Sequence, residues 1–204
     1  MRILVFILLF TFLNCSVYGQ EIGVWSLQSE QYSDSLNMVS PNGQYRLRAI
    51  QDGEVPAIEL LRGHRSVFLR QVYSLSEISW SPNSQMFCIT ESEGGQIGQW
   101  SVSVYHINDG LVKRLEVTRE LSRDFRKKMR SWCPDDEPNY VLGGWVDNGN
   151  SILVVGIVPN HSVCPAMGRT FGYLVSARSG KILPSYSEES LKKTWRTILG
   201  PNLA

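Results

Sequence analysis

ISWSPNSQMFCIT, Ile78–Thr90, is a pattern written three times in this chain. NMVSPNGQYRLRAI precedes it at Asn37–Ile50, and GGWVDNGNSILVVGIV follows at Gly143–Val158. In each copy an apolar lead enters a turn of Ser, Pro, Asp, Asn and Gly and leaves as a run of strand-forming residues. Aligned without gaps, Ser40, Ser81 and Val146 share one position, and Asn42, Asn83 and Asn148 share the position two residues on. Gly43, Ser84 and Gly149 come next, so the third copy keeps the turn but lacks its Ser-Pro. Turn residues in this order reverse the chain ahead of a strand.

Each copy continues into a second hairpin. VPAIELLRGHRSVFLRQV (Val55–Val72), WSVSVYHINDGLVKRLEV (Trp100–Val117) and TFGYLVSARSGKILPSY (Thr170–Tyr186) each run to a turn marked by Gly63, Gly110 or Gly180 and come back. Glycine there suits the positive φ of tight hairpin turns. The expected fold is therefore mainly β: three antiparallel meanders of about four strands, over residues 37–72, 75–117 and 141–186. In SILVVGIV both strand faces are apolar, as in a sheet covered on each side. YRLRAI instead alternates Tyr45, Leu47 and Ala49 with Arg46 and Arg48, which makes the first unit the outermost, wet on one face.

Two helices complete the expectation. Residues 118–140 interrupt the repeats, and within them Leu121, Phe125, Met129 and Trp132 recur at helical spacing among basic residues, predicting a helix over 118–132 with Thr118 as its N-cap and Pro134 as its stop. At the C terminus, Ser185 with Glu188 reads as a capping box ahead of a helix over 187–199, and Gly200-Pro201 ends it. Residues 20–36 read as an edge strand plus loop.

The first nineteen residues, MRILVFILLFTFLNCSVYG, carry one early positive charge, an apolar core and small residues before a cut after Gly19. That is the design of a secretory signal peptide, and the apolar run is too short for a spanning helix. Cys15 lacks the small preceding residue of a lipidation site. Residues 20–204 then form one domain, secreted or periplasmic, with no membrane span. A formal net charge of +1 supplies no global attraction to nucleic acid or anionic lipid. Cys88, Cys133 and Cys164 survive cleavage: Cys88 lies in an apolar run and reads as a small buried hydrophobe, while Cys133 and Cys164 read as loop residues able to meet.

Trp80-Ser81-Pro82-Asn83 before an apolar strand, then a hairpin closing at Asp109-Gly110 and followed by LVKRLEVT, resembles the propeller-blade repeat of TolB-type and WD40-like proteins. SPNGQY and WVDNGN look like the same element in its neighbours. The resemblance covers residues 37–186 apart from the helical insertion, and it implies blade-like sheets and interaction with protein. The departure is in number: closed propellers use about four to eight blades, and this chain supplies three. An incomplete stack needs cover from its own terminal segments, a second copy or another protein.

Candidate chemistry is sparse. The chain has no Gly-x-Ser-x-Gly elbow, and His64, His106 and His161 fall in separate elements, reading as solvated or packed side chains. Cys133, Asp135, His161 and Cys164 form a zinc-type ligand set if their loops meet, but the same approach makes a Cys133–Cys164 disulfide, which an exported protein favours. No metal or cofactor is expected. DNGN at Asp147–Asn150 reads as a hairpin turn rather than a calcium loop. The sharpest local feature is the basic helix, whose Arg123, Arg126, Lys127 and Arg130 form a candidate binding face for an anionic partner. Trp80 and Trp145 occupy matching repeat positions and read as core. The function expected is a non-enzymatic binding or scaffolding module whose partner is a protein, a second copy included, and not nucleic acid; the alternative is an exported hydrolase of envelope or extracellular polymers.

Overall fold

The computed structural model describes residues 24–94, 98–129, 133 and 137–203. The signal-peptide reading, Arg130, Trp132 and Pro134–Asp136 lie outside them.

Three antiparallel sheets form, in the order of the repeats. Sheet 1 is β2 (Asn37–Val39), β3 (Tyr45–Asp52), β4 (Val55–Arg62) and β5 (Arg65–Gln71). Sheet 2 is β6 (Ser76–Trp80), β7 (Met86–Ser92), β8 (Trp100–Asn108) and β9 (Leu111–Glu116), with β1 (Glu30–Gln31) added to its β6 edge. Sheet 3 is β10 (Asn139–Val146), β11 (Ser151–Ile157), β12 (Thr170–Ser176) and β13 (Ile182–Ser187). Helix α1 (Thr118–Met129) joins sheets 2 and 3, and α2 (Glu188–Trp195) follows sheet 3.

The repeated turns are built alike where their residues are alike. Ser40 Oγ accepts from Tyr45 N at 3.0 Å and donates to Asn42 Oδ1 at 2.8 Å; Ser81 Oγ accepts from Met86 N at 2.9 Å and donates to Asn83 Oδ1 at 2.8 Å. Gly43 and Ser84 take positive φ at the same step, +71° and +62°. Val146 has no hydroxyl, and the third turn closes through Asp147 and Asn148 at positive φ, with Asn150 N donating to Asp147 O at 3.1 Å. The turns also touch one another: Asn42 N donates to Ser84 Oγ at 2.9 Å.

Strand alternation then stacks the sheets. Tyr45, Leu47 and Leu60 of sheet 1 pack on Ile78, Phe87 and Tyr105 of sheet 2. From the opposite face of sheet 2, Met86, Cys88 and Val104 meet Leu142, Ile152 and Val154 of sheet 3. Arg46 and Arg48 point outward from sheet 1 into water, with Arg48 paired to Glu59 at 2.6 Å, so the first unit is wet on one face as its alternation requires. At the first interface the Arg70 guanidinium pairs with buried Glu91 and lies 5.6 Å from the Tyr105 ring centroid.

The outer face of sheet 3 is covered from within the chain. Val141, Leu153 and Val155 pack against Leu191 of α2 and against Leu199 and Leu203 of the C-terminal tail, with Trp25 beside them. Gly144 lies at a bulge in β10, and a side chain there would strike Ile198 and Gln28. Its absence lets Gln28 Oε1 accept from Trp145 N at 2.6 Å. The first and last described segments join through a Ser26–Leu199 bridge and a bond from Gly200 N to Trp25 O at 2.9 Å.

Three local expectations change. Thr118 is not the N-cap of α1; its Oγ1 accepts from Val102 N at 2.8 Å, tying the helix start to β8. Ser185 pairs with Tyr173 inside the sheet, and Ser187 caps α2 by accepting from Ser190 N at 3.3 Å. Helix α2 also stops at Trp195, because Ile198 and Leu199 pair with the N-terminal segment.

Candidate functional site

Helix α1 carries its apolar residues at i, i+4 spacing, and the structure divides them between two clusters. Leu121 enters the core between sheets 2 and 3, and Phe125 packs with Cys133, Val158, Cys164 and Ala166. The Phe125 ring stacks on Phe171 of β12 at 5.4 Å and 13°, and Phe171 meets Tyr173 edge-on at 5.5 Å. Gly156 in the neighbouring strand lies directly beneath Phe171, where any side chain would collide with the ring.

A disulfide joins Cys133, beyond the end of α1, to Cys164 in the loop between β11 and β12, with the Cα atoms 4.9 Å apart. The loop folds back on itself, with Gly168 N donating to Val158 O and Val158 N to Arg169 O, each at 3.0 Å. Between helix, loop and sheet lies a groove of about 540 Å³. Its floor is Phe125, Met129, Val158, Ala166, Phe171 and Tyr173; its rim is Lys128, Arg169, Tyr186, Glu188 and Glu189. The volume suits a small ligand or one or two side chains of a partner. Val163 and Met167 of the same loop are exposed.

Charge is distributed unevenly around the groove. Lys128 Nζ lies 2.8 Å from Asp124 Oδ2 and 5.5 Å from the Tyr173 ring centroid. Burial, followed by the neighbouring Tyr140 phenol and the Asp124 carboxylate, pushes the Tyr173 phenol far up, so it stays neutral. Glu188 accepts from Thr170 N at 3.4 Å and pairs with Lys192 at 3.5 Å. This arrangement can hold an apolar body together with a charged group.

The candidate basic face of α1 lies elsewhere on the helix. Arg123 pairs with Glu120 and Arg126 with Glu137, each at 2.7 Å, and Lys127 is exposed. Arg126 lines a separate polar cleft of about 350 Å³ with Arg114, Arg119 and Glu116. The α1 cation that reaches the groove is Lys128, which the reading of the basic face passes over; its i, i+4 spacing from Asp124 is the signal that marks the pair.

The histidines stay apart: His64 and His161 are exposed in turns, and His106 is half-buried on β8, its pKa lowered by that burial. With both sulfurs in the disulfide, the zinc alternative loses its two thiolates. Cys88 is a buried free thiol in the core, as its apolar surroundings predict.

One buried carboxylate stands out on β6, against the segment that leads into β1. Glu77 of β6 accepts from Trp25 N at 2.9 and 3.2 Å, and burial raises its pKa to about 7 against the lowering effect of the Trp25 and Ser26 amides. Its ligand is the protein's own N-terminal segment, which makes it a fastener of the fold.

Compared with family models and with curated proteins, the chain finds no match.

Proposed function

We propose that the protein is an exported, non-enzymatic binding module, built on three degenerate repeats of the propeller-blade kind found in TolB-type and WD40-like proteins. Its ligand sits in the groove between α1 and sheet 3. The observation that carries this reading is the groove itself: an aromatic floor drawn from α1 and β12, beside the Cys133–Cys164 disulfide that ties the end of α1 to the β11–β12 loop. A concave apolar site with a few polar or charged groups is the usual form of a small-ligand site. The sheets serve as scaffold, and the inserted helix and loop supply the recognition surface. The Ser/Pro/Asn turns and the three antiparallel sheets support the blade reading, and the leader-like N terminus together with the disulfide supports export.

The test is comparison of wild type with Ala166→Trp, which fills the groove. Both proteins are recovered from the compartment into which the cell exports them, and their retained molecules are identified by native mass spectrometry. The mature chain should begin at Gln20, and wild type should hold a molecule or partner that the variant lacks. An identical retained set for both proteins, or turnover of an extracellular polymer by wild type, contradicts the proposal.

A further inference from the structure

We propose that this groove receives an organic ammonium ion with a short apolar tail, seated where the Lys128 ammonium now lies. The inference rests on the binding reading above and specifies its ligand. The decisive observation is that the groove already holds a cation of its own, 5.5 Å from the Tyr173 ring centroid and 2.8 Å from the Asp124 carboxylate. An aromatic face attracts a cation through its quadrupole, more strongly as water is excluded. Tyr173 is 2 % exposed, so this face is a desolvated one.

Lys128 is well placed to leave. Its side chain is 51 % exposed, and its only ion pair among the described residues is the surface i, i+4 pair with Asp124, a type worth a fraction of a kcal/mol. When it swings into solvent, it leaves behind an aromatic face and a carboxylate that is itself only 24 % exposed. An incoming ammonium replaces both contacts.

The remaining charges favour the same sign. Asp124 beside the seat and Glu188 and Glu189 at the rim are acidic; once Lys128 has moved, Arg169 at the rim and Lys192, which pairs with Glu188 at 3.5 Å, are the cations facing them among the described residues. A carboxylate ligand meets the Asp124 carboxylate at the seat itself, whereas an uncharged ligand gains the apolar floor alone. Met129, Val158 and Ala166 are available to the tail. Lys128 is then an internal competitor, holding the site until a ligand displaces it.

The test titrates the mature protein with n-hexylammonium, 1-hexanol and hexanoate, following the Met129 and Ala166 methyl signals by NMR. The ammonium should give saturable shifts at both methyls, with hexanol about fivefold weaker and hexanoate weaker still. Lys128→Ala and Lys128→Gln should each tighten ammonium binding about five- to thirtyfold. Unchanged amide dispersion and melting temperature in these variants establish that the fold is retained. Hexanol binding as tightly as the ammonium overturns the inference and leaves the groove a purely apolar binding site. Absence of saturable shifts with all three probes, or no tightening in either Lys128 variant, also overturns it; the retained-molecule comparison with Ala166→Trp judges the binding reading separately.

Discussion

The indole N–H of Trp145 donates to Ser79 Oγ at 3.1 Å, reaching from sheet 3 into sheet 2. Trp80, one repeat earlier, makes the corresponding reach from sheet 2 into sheet 1, where it donates to the Met38 carbonyl at 3.4 Å. Met38 and Ser79 are themselves equivalent in the repeat alignment, so one inter-sheet contact is made twice with different acceptor atoms. Both tryptophans are buried, and each carries a large apolar surface as well as the bond. Ser79→Ala leaves the Trp145 N–H without its acceptor and the Gln28 carbonyl without its donor, which lies at 2.6 Å. The expected cost is about 2 kcal/mol or more. Trp145→Ala, which also opens a cavity, should cost about 3–5 kcal/mol, and urea unfolding checks both.

Ser81→Ala should destabilise the protein by about 1–2 kcal/mol, since that hydroxyl accepts from Met86 N and shares its one proton between Asn83 Oδ1 and Met86 O. Val146→Ser should gain much less, because the third turn is already closed by backbone at Asp147 and Asn148. Denaturant midpoints of the two variants should move in opposite directions and by unequal amounts.

These turns are also where the fold is most legible in the sequence. Ser40, Ser81 and Val146 mark the period, Gly63, Gly110 and Gly180 mark the returning hairpins, and all three glycines take positive φ. Local turn chemistry and strand alternation suffice for these, because the forces that set them act within a few residues. The ends of α2 escape such reading: Ser185 and Ser187 are equally good caps locally, and only the pairing of Ser185 with Tyr173 decides between them. The groove is less legible still. Phe125, Phe171, Tyr173 and Tyr186 belong to three elements, and no short-range pattern says that the inserted helix lies over β12.

Stability should depend on pH through Glu77. Its folded pKa of about 7 lies above the ordinary 4.5, so its contribution is full below pH 4.5 and is lost as pH rises through 7. The loss amounts to about 3 kcal/mol. Glu77→Gln keeps an acceptor for Trp25 N but carries no charge. The difference in unfolding free energy between variant and wild type, measured from pH 5 to pH 8.5, should favour the variant increasingly as pH rises; a flat difference contradicts the assignment.

Cys133 and Cys164 lie 31 residues apart in sequence, and in the chain-entropy description their bond stabilises the fold by about 3–4 kcal/mol. Replacing both by serine should lower the melting temperature and loosen the groove wall first, seen as faster amide exchange over residues 158–169. Non-reducing peptide mapping of the protein should recover the cross-linked pair; two free thiols there would contradict the disulfide.

The central claim is that three like meanders stack through equivalent contacts, and the two tryptophan side chains report it directly. In a NOESY spectrum of the protein, the Trp80 indole N–H should show cross-peaks to Met38 and the Trp145 indole N–H to Ser79, placing both rings between sheets. Indole N–H signals that exchange freely with water, or that contact only residues of their own sheet, would contradict it.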